Sequence, residues 1–148
     1  MSEFPRRAVV DASVAVKLFV PEPLHDHARA VFASLAPPAS ADLFVPDLFY
    51  VECANVLWKW VQRNGCPEKD ARGHLRDLGK LDLRVVPARA LVPRALDLAL
   101  RLKITAYDAC YVAAAASLDA PLVTADERLV EKCRRGPADV LWLGDVGL

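Results

Sequence analysis

Short runs dominated by apolar residues recur along this chain of 148 residues, and nearly every one gives way to a segment with helical signals. Ala8–Val10 reads as a short, fully buried strand, and Leu43–Val45, Leu83–Val86, Leu122-Val123 and Val140–Leu143 read as further strands. Between them the expected helices begin with Ser13–Phe19, halted by Pro21 and Pro23, and Leu24–Leu35, closed by Pro37-Pro38. Next come Leu48–Gln62, stopped at Asn64-Gly65, and a helix opened by Pro67 and reaching about Lys80. Val92–Leu102 carries Pro93 in its first turn, where proline is tolerated, and Asp108–Leu118 and Glu127–Arg134 complete the set. Strands separated by helices predict an α/β fold, a parallel sheet covered by helices on both faces. No repeat, low-complexity stretch or long linker divides the chain, so residues 1–148 are expected to form one domain around one core.

Composition narrows the function less than the pattern does. Lys plus Arg and Asp plus Glu each total 19, so the formal net charge is zero and the basic excess common in nucleic-acid binders is absent. Acids pooled in one site would, however, leave the remaining surface nearer to positive. The four cysteines, Cys53, Cys66, Cys110 and Cys133, show no CxxC pair and no zinc-like spacing, which fits reduced, structural thiols. Residues 1–7 lead into a strand rather than a signal segment, and no apolar run approaches the roughly 20 residues of a membrane span. A cytoplasmic protein without a membrane partner is expected.

Four carboxylates mark the ends of apolar segments. Asp11 follows Ala8–Val10, Asp126 follows Leu122-Val123-Thr124, Asp108 opens the alanine-rich run 109–116, and Glu52 lies within the apolar run 48–61. Each has a plain structural alternative. Asp11 or Ser13 can cap the helix that follows, and Asp108 and Asp126 can cap theirs. Glu52 and Asn55, three apart and so on one helix face, interrupt a run apolar nearly all round, which predicts a largely buried helix on which an unpaired Glu is costly. In an open parallel sheet, ligands bind beyond the carboxyl ends of the strands, where Asp11 and Asp126 belong and to which Asp108 can point. Taken together, the four placements point to a shared metal site.

The ordered set Val9-Val10-Asp11-Ala12-Ser13-Val14, Pro46-Asp47-Leu48 through Glu52 and Asn55, Tyr107-Asp108-Ala109 and Thr124-Ala125-Asp126 resembles the PIN-domain ribonucleases, most of all the VapC-type toxins of prokaryotic toxin–antitoxin pairs. The resemblance covers Ala8 to Leu143. It implies a Rossmann-like sheet in the order 3-2-1-4-5. It implies that Asp11, Glu52, Asp108 and Asp126 form an acidic catalytic and metal-binding pocket, with Ser13, Asn55 and Thr124 supporting it or positioning substrate. It further implies homodimers and a cognate VapB-like antitoxin that blocks the pocket.

Clustered carboxylates repel one another, and hard divalent ions relieve the repulsion. Mg²⁺, with Mn²⁺ as a substitute, is therefore the expected cofactor. The expected reaction is in-line attack of a metal-activated water on an RNA phosphodiester, leaving a 5′-phosphate. Lys17, Lys59, Arg63, Lys103 and Arg128 are candidate contacts for RNA, each competing with a reading as plain surface charge. His25 and His27 read as exposed rather than as a metal pair, and His74 has no partner pattern. Of Trp58 and Trp60, one is expected in the core and the other in a dimer or antitoxin interface. The pattern DxDx[TV] of aspartate-nucleophile phosphatases is absent, since the strand-end motif is Asp11-Ala12-Ser13-Val14. A phosphorelay receiver lacks its acid pair and its lysine here. A PIN-like module that only binds RNA or a protein is the remaining alternative.

Overall fold

The computed structural model describes residues 4–20 and 22–147. Arg7–Val10 (β1), Asp42–Pro46 (β2), Arg84–Val86 (β3), Leu122–Thr124 (β4) and Val140–Trp142 (β5) form one sheet in the order β3-β2-β1-β4-β5, every neighbouring pair parallel. The order and class are those expected. In β1, Ala8, Val9 and Val10 are all fully buried, and in β4 Leu122, Val123 and Thr124 are too. Successive strand residues face opposite sides, so both faces of the sheet centre are covered.

The helices are Ala12–Ala15 (α1), His25–Ala33 (α2), Leu48–Asn64 (α3), Glu68–Leu78 (α4), Ala88–Leu102 (α5), Ala106–Leu118 (α6) and Glu127–Lys132 (α7). α6 is the core helix: Ala109 through Ala115 are buried without interruption, and the alanines let it lie close to β1, β2 and β4. Gly65 closes α3 with φ 67, a left-handed conformation that favours glycine.

Several expectations are corrected. The helix expected over Ser13–Phe19 is a single α turn followed by a 3₁₀ turn at Val16–Leu18, where the β-branched Val14 and Val16 weaken α propensity. The halt assigned to Pro21 lies outside the described residues. α5 begins at Ala88, behind Pro87, rather than at Val92, so Pro93 sits in the helix interior. Pro93 faces solvent there, where the Arg89 carbonyl it leaves unpaired can be hydrated.

α3 is not buried all round either. Phe49, Cys53 and Leu57 form a buried seam at i, i+4 spacing, whereas Val51 is 71% and Trp58 56% exposed. Neither tryptophan of this helix joins the core cluster, for Trp60 is half-buried and lies outside it. His25 and His27 are half-buried rather than exposed, the His25 Nδ1 lying 2.6 Å from the Lys17 carbonyl oxygen, and His74 stacks on Phe19 with ring centroids 4.7 Å apart. The cysteines are free, three of them buried, and burial pushes the Cys53 thiol up to about 12. Among the described residues no helix is long and apolar enough to cross a membrane.

Candidate active site

The strand order reverses direction at β1, which has β2 on one side and β4 on the other. The crevice beyond the carboxyl ends of β1 and β4 is therefore the natural ligand position of the sheet. Asp11 leaves β1 there and Asp126 follows β4. Both are also helix N-caps: Asp11 accepts from the backbone N–H of Val14, and Asp126 accepts from those of Arg128 and Leu129 at 2.9 and 3.3 Å. Capping and site-building are thus not rivals at these positions. The cap fixes the backbone, and each carboxylate still has lone pairs to spare.

Asp108 is not a cap. Thr105 caps α6, its hydroxyl accepting from the Asp108 N–H at 3.1 Å, which places Asp108 in the first turn. The spacing Thr-x-x-Asp is a capping pattern legible in the sequence. From that turn Asp108 lines an open cavity with Asp126. Its charge raises the pKa of Asp11 and of Glu52, and the charge of Asp126 raises that of Asp108. Burial is the larger cause for all three groups that shift. Asp11, 5% exposed, is pushed up to about 6 despite opposing help from the Ser13 and Thr124 hydroxyls. Asp108 is raised by burial as well, with the Thr105 hydrogen bond and the Lys132 ammonium working against the shift.

Ser13 and Thr124 tie the two strand ends together. The Ser13 hydroxyl donates to Asp11 and accepts from the Ala125 N–H at 2.9 Å, and it lies 3.3 Å from the Thr124 hydroxyl. Thr124, fully buried, accepts from the Asp126 N–H at 3.1 Å. Glu52 reaches the cluster from α3, where the Tyr111 hydroxyl donates to it at 2.7 Å. Asn55 is exposed on α3, and among the described residues its side chain makes no hydrogen bond.

Tyr111 was missed by sequence reasoning because a tyrosine in an alanine-rich run reads as core; its position three residues after Asp108, on the same helix face, was the available signal. Of the candidate cations, Lys103 and Arg128 line an open cavity with Asp108, Asp126 and Lys132. Lys17 and Arg128 line a second with Ser13, Asp126 and Trp142. Lys59 and Arg63 are exposed on α3 and line neither.

The set can be tested for a divalent ion on its chemistry. The donors are carboxylate and hydroxyl oxygens with no thiolate or imidazole among them, the preference of a hard ion. The buried Asp11 carboxylate has no Lys, Arg or His ion pair among the described residues, and burial holds its pKa above the usual carboxylate range. In charge and donor type the residues fit. Among the described residues, however, no group of three or more His, Cys, Asp or Glu side chains is arranged to hold an ion.

The family model for the PIN domain matches residues 8–135. Ribonuclease VapC3 of Pyrobaculum aerophilum is 36% identical over 128 residues, 85% of this chain and 94% of that protein. Among solved structures, the VapBC2 complex of Rickettsia felis bound to a promoter DNA fragment superposes with a TM-score of 0.66 at 14% identity, over 92% of this chain and 98% of that one. Mycobacterium tuberculosis VapC20, a sarcin–ricin loop cleaving toxin, gives 0.63 at 18% identity, over 82% of this chain and 92% of that one.

Proposed function

Because this chain belongs to the PIN-domain family, we propose that it is an endoribonuclease, the toxin of a VapBC-type toxin–antitoxin pair, hydrolysing RNA phosphodiesters with Mg²⁺ or Mn²⁺. One observation carries the reading: Asp11 and Asp126 leave neighbouring parallel strands at the carboxyl edge of the sheet, tied together through Ser13 and Thr124, and Asp108 lines one open cavity with Asp126. A fold gains nothing from that concentration of like charge, whereas a phosphate-cutting site that recruits a cation needs it. Residues 1–148 are read as a single PIN domain acting in the cytoplasm.

In this reading Asp11, Glu52, Asp108 and Asp126 hold the ion. When bound, it supplies charge neutralisation for the phosphodiester and lowers the pKa of a water molecule. The chain's own groups do the orienting. Ser13 and the Val14 N–H fix the Asp11 carboxylate, and Tyr111 fixes Glu52. Thr124 holds the turn that carries Asp126. Lys103, Lys132 and Arg128 bring positive charge beside Asp108 and Asp126, where a phosphate backbone must approach carboxylates.

A cognate antitoxin and a homodimer belong to the same reading, supported by the VapBC architecture of the structural neighbour and by apolar surface left open here. Trp58 and Leu75 line a groove between α3 and α4, and Val92, Leu96 and Leu100 form an exposed stripe on α5. Among the described residues no trio of metal donors stands ready-made, which favours a second reading, a module that binds RNA without cutting it. Incubation of purified protein with total RNA, in Mg²⁺, Mn²⁺ or EDTA, separates the two: metal-dependent fragments support the nuclease, and RNA binding without cleavage supports the module.

A further inference from the structure

The open cavity beside Asp126, about 660 Å³, is walled by Ser13, Lys17, Arg128 and Trp142, with Val16 and Leu24 as apolar neighbours. Trp142 ends β5 and stands in register with Thr124 of β4, so it lies on the same carboxyl edge of the sheet as the acids. Its ring lies against Gly144: a Cβ built there would sit 2.3 Å from the indole Cη2 and Cζ3. The indole can keep this position only while residue 144 has no side chain. Among the described residues Arg128 forms no ion pair, whereas Lys17 is engaged by Glu22 at 3.3 Å. Asp126 and Arg128 line this cavity and also the one that contains Asp108.

A fixed aromatic face, a free guanidinium and a neighbouring acidic cluster are a combination that suits one kind of ligand, a planar base carried on a phosphate backbone. Unpaired bases of single-stranded RNA are held by stacking on aromatic side chains, and their phosphates by arginine. We infer that Trp142 is the stacking platform for an unpaired nucleobase next to the phosphate to be cut, with Arg128 holding a flanking phosphate on the ridge between the two cavities. The inference rests on the ribonuclease reading and names the part of the substrate that this side of the site recognises. Trp142 is a binding residue, and Gly144 is a positioning residue that acts through it.

The chain has three tryptophans, so a protein carrying Trp58→Phe and Trp60→Phe reports on Trp142 alone. Its emission is titrated in EDTA with a short single-stranded RNA and with the same strand made of abasic nucleotides. Saturable quenching by the RNA, much weaker with the abasic strand and reduced by Gly144→Ala, is expected. In Mg²⁺, on the native background, Trp142→Ala is expected to raise KM for RNA cleavage about tenfold, with Trp142→Phe restoring most of the loss. Equal quenching by the abasic strand, quenching by an acidic peptide but not by RNA, or an unchanged KM for both Trp142→Ala and Gly144→Ala overturns the inference and leaves the nuclease standing. Base-dependent quenching by a protein that cleaves nothing in Mg²⁺ sinks the nuclease and keeps the base pocket.

Discussion

The Tyr111 hydroxyl donates a 2.7 Å hydrogen bond to the Glu52 carboxylate, joining the core helix α6 to α3 at the edge of the acidic cluster. Tyr111 is itself 1% exposed, so its hydroxyl has no water to fall back on, and Glu52 is half-buried. The bond therefore satisfies both partners and aims Glu52 at the site. Tyr111→Phe leaves the carboxylate without its donor. Urea denaturation is expected to show a loss of about 1–2 kcal/mol, and RNA cleavage is expected to fall while RNA binding persists. Unchanged cleavage would mean that Glu52 needs no orienting partner.

Stability should respond to pH in a direction set by Asp11. Its carboxyl is raised from 3.8 to about 6 by burial, so between those values the folded chain binds more protons than the unfolded one. Stability then falls as pH rises through that window, the Asp11 contribution being about 3 kcal/mol across it. Glu52 and Asp108, also raised by burial, act in the same sense. Thermal melts in EDTA are expected to give a higher Tm near pH 5 than near pH 7. The opposite slope would contradict the assignment of a desolvated, uncompensated cluster.

Asp11→Asn removes the buried charge while keeping much of the shape of the cap. Near neutral pH and without metal, the variant is expected to melt above the parent by several degrees, at about 2–4 °C per kcal/mol for a chain of this size. Added Mg²⁺ should raise the Tm of the parent and leave that of the variant nearly unchanged. A variant that responds to Mg²⁺ as the parent does would remove Asp11 from the ion's ligands.

Much of this was legible in the sequence because the carboxylates sit where elements change. Asp11 directly follows one buried strand and Asp126 stands two residues beyond another, positions that topology sends to one sheet edge, and the sheet order follows from family resemblance. What stayed illegible was surface geometry. The apolar composition of 48–61 predicted a buried helix, yet composition cannot tell a core face from an apolar face left open, as Val51 and Trp58 are. A helix starting at Val92 is expected because proline is tolerated in a first turn, whereas the helix starts at Ala88 with Pro87 as its N-cap. Tyr111 and Trp142 needed tertiary contacts to be noticed: one for its bond to Glu52, the other for its packing against Gly144.

The open apolar surfaces on α3, α4 and α5 carry a prediction about assembly. With Val92 52%, Leu96 54%, Leu100 72% and Trp58 56% exposed, the isolated chain leaves more apolar surface uncovered than scattered single residues would. Sedimentation velocity at micromolar concentration is expected to show a species of twice the 16.2 kDa chain mass. A monomer under those conditions would contradict the homodimer.

The most direct measurement is cleavage of RNA by purified protein free of antitoxin, in Mg²⁺, Mn²⁺ and EDTA, with Asp11→Asn alongside. Fragments that form in either metal, vanish in EDTA and are lost in the folded variant are the expected result. Cleavage retained by Asp11→Asn, or no cleavage under any condition by a folded protein that binds RNA, would contradict the account.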